Sequence, residues 1–191
     1  MIDLKEGDVI LYDLVGFIPK VISFFTKSEW NHVGLVGRDN SGRLNIFEAN
    51  ANKNKVTATG GYGYYKYKSI KILSAPKLST SMKNILNNEL DSHMGTKYEH
   101  SIVQFLKFVI PGLKNVNRTK DMLYCSELVK IVFKEVGNIH GATPEHKTNT
   151  YSAFDKVISA DMAVAPSDFD DCNSPVYRTL VHLCGYTDTE L

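Results

Sequence analysis

Residues 31–50, "NHVGLVGRDNSGRLNIFEAN", decide the fold. Val33, Leu35 and Val36 before the "DNSG" turn, with Ile46 and Phe47 after it, form two strand-like runs, so the spacing predicts a β-hairpin. His32 stands at the entrance of the first run, two residues before Gly34. If Arg38 pairs with Gly42 across a three-residue loop, 39–41, His32 falls directly opposite Glu48. A two- or four-residue loop would put the two side chains on opposite faces. Gly42 suits the left-handed position of a three-residue turn, so the aligned register is expected. Opposed Cβ atoms sit ~4.5–5.5 Å apart. Glu48 is then close enough to accept the imidazole N–H and fix its tautomer. On pattern alone, such a pair is equally well a plain surface contact.

Working outward, "KEGDVILYD" reads as a short strand, and Leu14 to Lys27 carries Val15, Ile18, Val21, Ile22 and Phe25 at helical spacing, with Pro19 early. "TGGYGYYKYKSIKIL" (59–73) is turn-rich, then alternating, and predicts a strand ending before Pro76. Ser79 to about His93 predicts a helix capped by Ser79 or Ser81, with Met82, Ile85, Leu86 and Leu90 as its buried stripe and Gly95 after it. Residues 98–110 form a further apolar helical candidate, closed by Pro111 and Gly112. "MLYCSELVKIVFKEVG" (122–137) is the clearest helix: Leu128, Val129, Ile131, Val132 and Val136 are apolar, Glu127 sits in the first turn and Gly137 supplies the stop. Residues 138–150 read as loop, "TYSAFDKVI" as a short helix or turn, "APSDFDDCNSP" as loop and "VYRTLVHL" as a terminal strand. Strands first, helices in the middle and a strand at the end predict an α+β fold with an antiparallel sheet.

With 191 residues and 43% apolar composition, the chain is expected to be one domain over residues 1–191. Lys and Arg total 22 against 21 Asp and Glu, so no global field draws it to nucleic acid. "YGYYKYK" interleaves aromatic and basic residues as a single-strand platform would, but no second basic cluster accompanies it and a structural strand is expected. The acidic start "MIDLKEGDVILYD" lacks the basic region and apolar run of a secretory signal, so a cytoplasmic location is expected. "LVGFIPKVISFF" (14–25) and "IVQFLKFVIPGL" (102–113) fall short of the ~18 apolar residues of a membrane span, so no transmembrane segment is expected. Cys125, Cys172 and Cys184 are odd in number and show no C-x-x-C spacing, and neither His93 with His100 nor His182 with Cys184 makes a ligand set. No disulfide framework, metal or cofactor is expected.

Cys125 opens the 125–136 helix and lies in line with Leu128, Val129 and Val132, so it faces the buried side. A helix start presents N–H groups and partial positive charge, which favour a thiolate and can hold the oxyanion of a tetrahedral intermediate. The bland alternative is a buried cysteine serving as a small hydrophobe.

"GDVILYD", "NHVGLV", "IFEAN", "MGTKYE" and "YCSELV", followed by "APSDF", resemble in content and order the permuted branch of the NlpC/P60 superfamily, the papain-like YaeF/YiiX group of amidases, from about Gly7 to Phe169. The resemblance implies a circularly permuted papain-like fold with the histidine before the cysteine. It also implies a cysteine hydrolase: Cys125 as nucleophile, His32 as base and Glu48 as the third polar residue, a place Asn50 or Asn45 could also fill. Tyr98 and Tyr124 match aromatic positions of the motifs and either line the substrate site or pack the core. The implied reaction cleaves an amide or isopeptide bond in a small amide, peptide or acyl substrate through an acyl-enzyme. The alternatives are lipid acyl transfer or thioester and ester cleavage, as in the lecithin–retinol acyltransferase branch, and a catalytically silent binding module. Residues 14–25 and 102–113 could line an acyl groove, which leaves peripheral lipid contact open.

Overall fold

The computed structural model describes residues 3–61, 66–99, 122–141 and 164–190. Among the described residues eight strands make one sheet: β1 (Val9–Leu14), β2 (His32–Arg38), β3 (Leu44–Asn50), β4 (Lys55–Thr59), β5 (Tyr67–Ser74), β6 (Lys97–Tyr98), β7 (Met122–Leu123) and β8 (Thr187–Glu190). They lie side by side in the order β7-β6-β4-β3-β2-β1-β5-β8. All neighbours are antiparallel except β6 and β7. The helices among the described residues are α1 (Phe17–Thr26), α2 (Thr80–Ser92), α3 (Cys125–Gly141) and α4 (Pro175–Cys184), with a 3-10 turn at Pro166–Phe169. The class is α+β, as expected.

Strand alternation divides the apolar residues between two faces. Val9, Leu11, Val33, Leu35, Phe47 and Ala49 share a core with Leu86 and Leu90 of α2 and Leu128, Val129 and Val132 of α3. Ile10, Tyr12, Val36, Ile46 and Ile72 form a smaller cluster on the other face. Gly37 lets α2 approach β2: a Cβ there would lie 2.4 Å from Cδ1 of Leu90.

The hairpin forms, with its register offset from expectation. Asp39 N donates to the Arg43 carbonyl and Gly42 takes φ 76, so the chain reverses through Asn40, Ser41 and Gly42 rather than residues 39–41. Asp39 Oδ1 fixes that turn by accepting from the backbone N–H groups of Ser41 and Arg43. The ladder therefore pairs Leu35 with Phe47 and Arg38 with Leu44. Carried on, this register sets Glu48 across from Gly34 rather than from His32. The shift is by two residues, so His32 and Glu48 keep a common face.

Other elements depart from the expectations. "VYRTLVHL" is helix: Ser174 caps it by accepting from Val176 N, Pro175 occupies its first turn, Gly185 closes it with φ 63, and Val176, Leu180, Leu183 and Cys184 recur at helical spacing on its buried side. The terminal strand comes after it, as β8. Helix α3 runs through buried Gly137 to Gly141; a mid-helix glycine costs only ~1 kcal/mol, a small penalty for a helix packed this closely. Leu14 belongs to β1, paired with Tyr67, rather than to the helix, and α1 buries none of its residues fully. Within the 98–110 candidate, Tyr98 lies in β6; the rest of it, and "TYSAFDKVI", lie outside the described residues. No helix among the described residues is long and apolar enough to cross a membrane.

The tight approach at Gly37 yields a stability test. Gly37→Ala should destabilise the fold by ~1–3 kcal/mol through overpacking against Leu90, read as a lower urea midpoint at unchanged slope. An unchanged midpoint would show that α2 can yield there.

Candidate active site

Asn31 sets the entry to β2. Its backbone N–H donates to the Tyr12 carbonyl at 3.0 Å, and its Oδ1 accepts from Leu14 N at 2.9 Å. Its Nδ2 lies 3.2 Å from Asp13 Oδ1, Ser23 Oγ and the Glu29 carbonyl. One buried carboxamide thus ties β1, α1 and β2 together beside His32. Trp30, one residue earlier, donates through Nε1 to Asp170 Oδ2 at 2.8 Å, and Lys71 Nζ meets the other oxygen at 2.7 Å.

His32 pairs with Tyr12 of β1, and their ring centroids are 5.6 Å apart. On its other side the paired ladder to β3 ends at Leu35 and Phe47, while β3 continues against β4 as far as Asn50. The two strands part at this level. Across the gap, past side-chain-free Gly34, Glu48 Oε2 reaches His32 Nε2 at 2.8 Å. The other oxygen, Oε1, has Asn50 Nδ2 at 3.4 Å, and Asn50 Oδ1 accepts from Lys53 N at 3.0 Å. Glu48 thus takes the partner's place, with Asn50 behind it; Asn45 instead donates to Asp39 Oδ2 in the turn.

Cys125 is the first residue of α3 and is buried in the main core, so its inward orientation is as expected. It acts on the His32 imidazole through its charge and through side-chain hydrogen bonding. Burial is the largest single influence on the imidazole and disfavours its charge, but the Cys125 charge and hydrogen bond, joined by those of Glu48, outweigh it and push the His32 pKa up to about 10. The other thiols differ in setting: Cys172 is exposed, and Cys184 is buried with its pKa pushed up by that burial.

Tyr98 and Tyr124 meet edge to face, with centroids 6.3 Å apart. Burial, and then the charge on Cys125, raise the Tyr98 pKa; burial, and then Glu99, raise that of Tyr124. Tyr98 therefore stands within electrostatic reach of the cysteine. The Tyr124 carbonyl accepts the first helical bond of α3, from Leu128 N. Ser126 anchors the same turn by donating to the Val164 carbonyl at 2.6 Å.

A model of the family described as permuted papain-like amidase enzyme, YaeF/YiiX, C92, matches residues 3–174. The chain belongs to this family. It is thus a papain-like enzyme of the cysteine peptidase and amidase type. Among solved structures it is similar to metalloprotein yiiX from Escherichia coli O157:H7, with a TM-score of 0.53 and 15% identity over 97% of this chain and 96% of that one. At that identity the likeness is one of fold. No curated protein matches. Among the described residues no group of three or more His, Cys, Asp or Glu is placed to hold a metal ion.

The charge balance at His32 is open to direct measurement. Because its folded pKa of about 10 exceeds its ordinary 6.5, protonated His32 stabilises the fold, fully below about 6.5 and decreasingly as pH rises through about 10. In Cys125→Ala the two largest upward influences disappear, so the imidazole resonances should titrate at clearly lower pH by NMR. An unchanged titration would mean that Glu48 alone holds the charge.

Proposed function

We propose that the enzyme hydrolyses an amide or isopeptide bond of a small amide or peptide substrate, with Cys125, His32 and Glu48 as its catalytic residues. The observation that carries this reading is the buried imidazole held between Glu48 and Cys125 at the start of α3. The Cys125 thiolate attacks the carbonyl carbon and forms a C–S bond, and the first-turn N–H groups of α3 receive the oxyanion. Collapse of the tetrahedral intermediate breaks the C–N bond, and His32 gives its proton to the departing amine. Neutral His32 then takes a proton from water, whose oxygen attacks the thioester. The C–S bond breaks, the acid leaves, and the thiolate–imidazolium pair is restored. Glu48 holds the ring with Nδ1 toward the sulfur. Tyr98 and Tyr124 flank the nucleophile as substrate-binding residues.

Alkylation discriminates this reading from a silent binding module. Iodoacetamide at neutral pH should modify Cys125 much faster than Cys172 or Cys184, and Cys125→Ala should abolish turnover of acyl-amino-acid amides with the fold intact. His32→Ala should slow the alkylation, and Glu48→Gln should slow it less. Equal, slow labelling of all three thiols by mass spectrometry would defeat the enzyme assignment of these residues.

One observation favours a second reading, acyl chemistry at a lipid surface: Phe17 and Phe24 on α1 are 78% and 77% exposed, beside exposed Val15, Ile18 and Phe25. Neutral liposomes should then co-sediment the Cys125→Ala protein, with binding lost in Phe17→Ser and Phe24→Ser. Protein that stays in the supernatant leaves the amide reading alone.

A further inference from the structure

Three lysines gather where the sheet passes from Glu48 toward Cys125. Strand β6 lies between β4 and β7: on one side Lys97 pairs with Lys55, and on the other Lys97 and Tyr98 pair with Met122 and Leu123, just before Tyr124 and Cys125. Lys55 in turn pairs with Asn50, whose Nδ2 lies 3.4 Å from Glu48 Oε1. Directly paired residues share a face of the sheet. Asn50, Lys55 and Lys97 therefore form one row, which runs from beside the buried Glu48 carboxylate out to solvent, where both lysines are exposed. Lys53 is exposed in the turn beside them, and its backbone N–H donates to Asn50 Oδ1.

The Lys55–Lys97 pair is of the closer kind. Its flanking bonds run from Tyr98 N to the Asn54 carbonyl and from Val56 N to the Thr96 carbonyl, and partners bracketed in this way have Cα atoms only ~4.5 Å apart. Like charges set directly opposite each other work against the sheet. A carboxylate between them would relieve this, yet among the described residues none meets Lys53, Lys55 or Lys97. Glu99, two residues beyond Lys97, bears on Tyr98 and Tyr124. In a chain with 22 Lys and Arg against 21 Asp and Glu, this cluster is a local excess of positive charge, complementary to an anion from outside.

We infer that Lys55 and Lys97, with Lys53 beside them, bind a carboxylate of the substrate, so that the enzyme prefers amides with a negative charge near the cleaved bond. Asn50 and Glu48 are two residues apart on β3, ~7 Å along the strand. That interval sets the carboxylate one or two substrate residues from the scissile carbonyl. The lysines are specificity residues and take no part in making or breaking bonds. The inference rests on the amide-hydrolase reading for the reaction, but the preference can be measured without turnover.

The experiment is calorimetric titration of the full-length Cys125→Ala protein with three compounds: N-acetyl-alanyl-alanine, with its carboxylate on the amine half; N-succinyl-alanine amide, with its carboxylate on the acyl half; and uncharged N-acetyl-alanyl-alanine amide. One of the two carboxylates should bind several-fold tighter than the uncharged compound at low salt, and its identity tells which half carries the charge. The advantage should shrink as salt is raised. It should fall away in Lys55→Gln and in Lys97→Gln and persist in Lys20→Gln, which removes an exposed lysine on α1. Because Lys97→Gln also removes repulsion within the pair, its urea midpoint should be no lower than the parent's. An uncharged compound that binds as tightly as both carboxylates, no binding by either carboxylate, an advantage that survives in both lysine variants, equal loss of it in Lys20→Gln, or a lowered midpoint in Lys97→Gln would each overturn the inference. Slow labelling of Cys125 together with the carboxylate preference would instead remove the proposed chemistry and keep the site.

Discussion

A charged imidazole removed from water must be held between opposite charges, and the site is built around meeting that demand. Left alone in this setting, His32 would shed its proton, since burial is the strongest single influence on it. Glu48 on one ring nitrogen and Cys125 beside the ring reverse the balance. Glu48 comes from the next strand and Cys125 from far along the chain, and each needs its own element placed: β3 for the carboxylate, the start of α3 for the sulfur. Removing one member of a buried pair leaves the other uncompensated, which costs more than the pair contributes. The ion pair thus constrains how β1, β2, β3 and α3 meet more than it stabilises the fold.

The parting of β2 and β3 follows from the same demand. Here β2 keeps its bonds to β1 and β3 keeps its bonds to β4, although the two no longer pair with each other beyond Leu35 and Phe47. Gly34 completes the arrangement: a side chain there would strike Ile46 Cγ2 at 2.7 Å, and without one the diagonal from Glu48 to His32 is clear.

How far the sequence could be read depended on whether the information was local. That His32 and Glu48 share a face was legible, because a two-residue period survives a two-residue error in register. Their exact pairing was not, because it depends on which residues Asp39 recruits into the turn. Read by itself, "VYRTLVHL" passes for a strand, whereas Ser174, Pro175 and Gly185 bracket it with helix caps. Strand β4, "KVTAT", went unread because one buried residue, Val56, gives little pattern. The work of Asn31 was invisible for another reason: its partners lie in β1, in α1 and in the turn before it, and a lone asparagine carries no periodicity. The apolar spacing of α1 was real, but periodicity records that a face exists and not that anything covers it.

The chain order of the site has a consequence for folding. In this permuted order the histidine and its carboxylate lie on consecutive strands of one hairpin, so their contact closes a loop of only 16 residues. The cysteine comes from α3, far along the chain, and reaches them only when that helix docks on the sheet. The hairpin can therefore set the His32–Glu48 contact locally, at small loop-closure cost. The charge on His32 is complete only after the long-range core has formed. Because the first part is cheap and the second cooperative, Cys125 comes to His32 only once α3 has docked on the sheet.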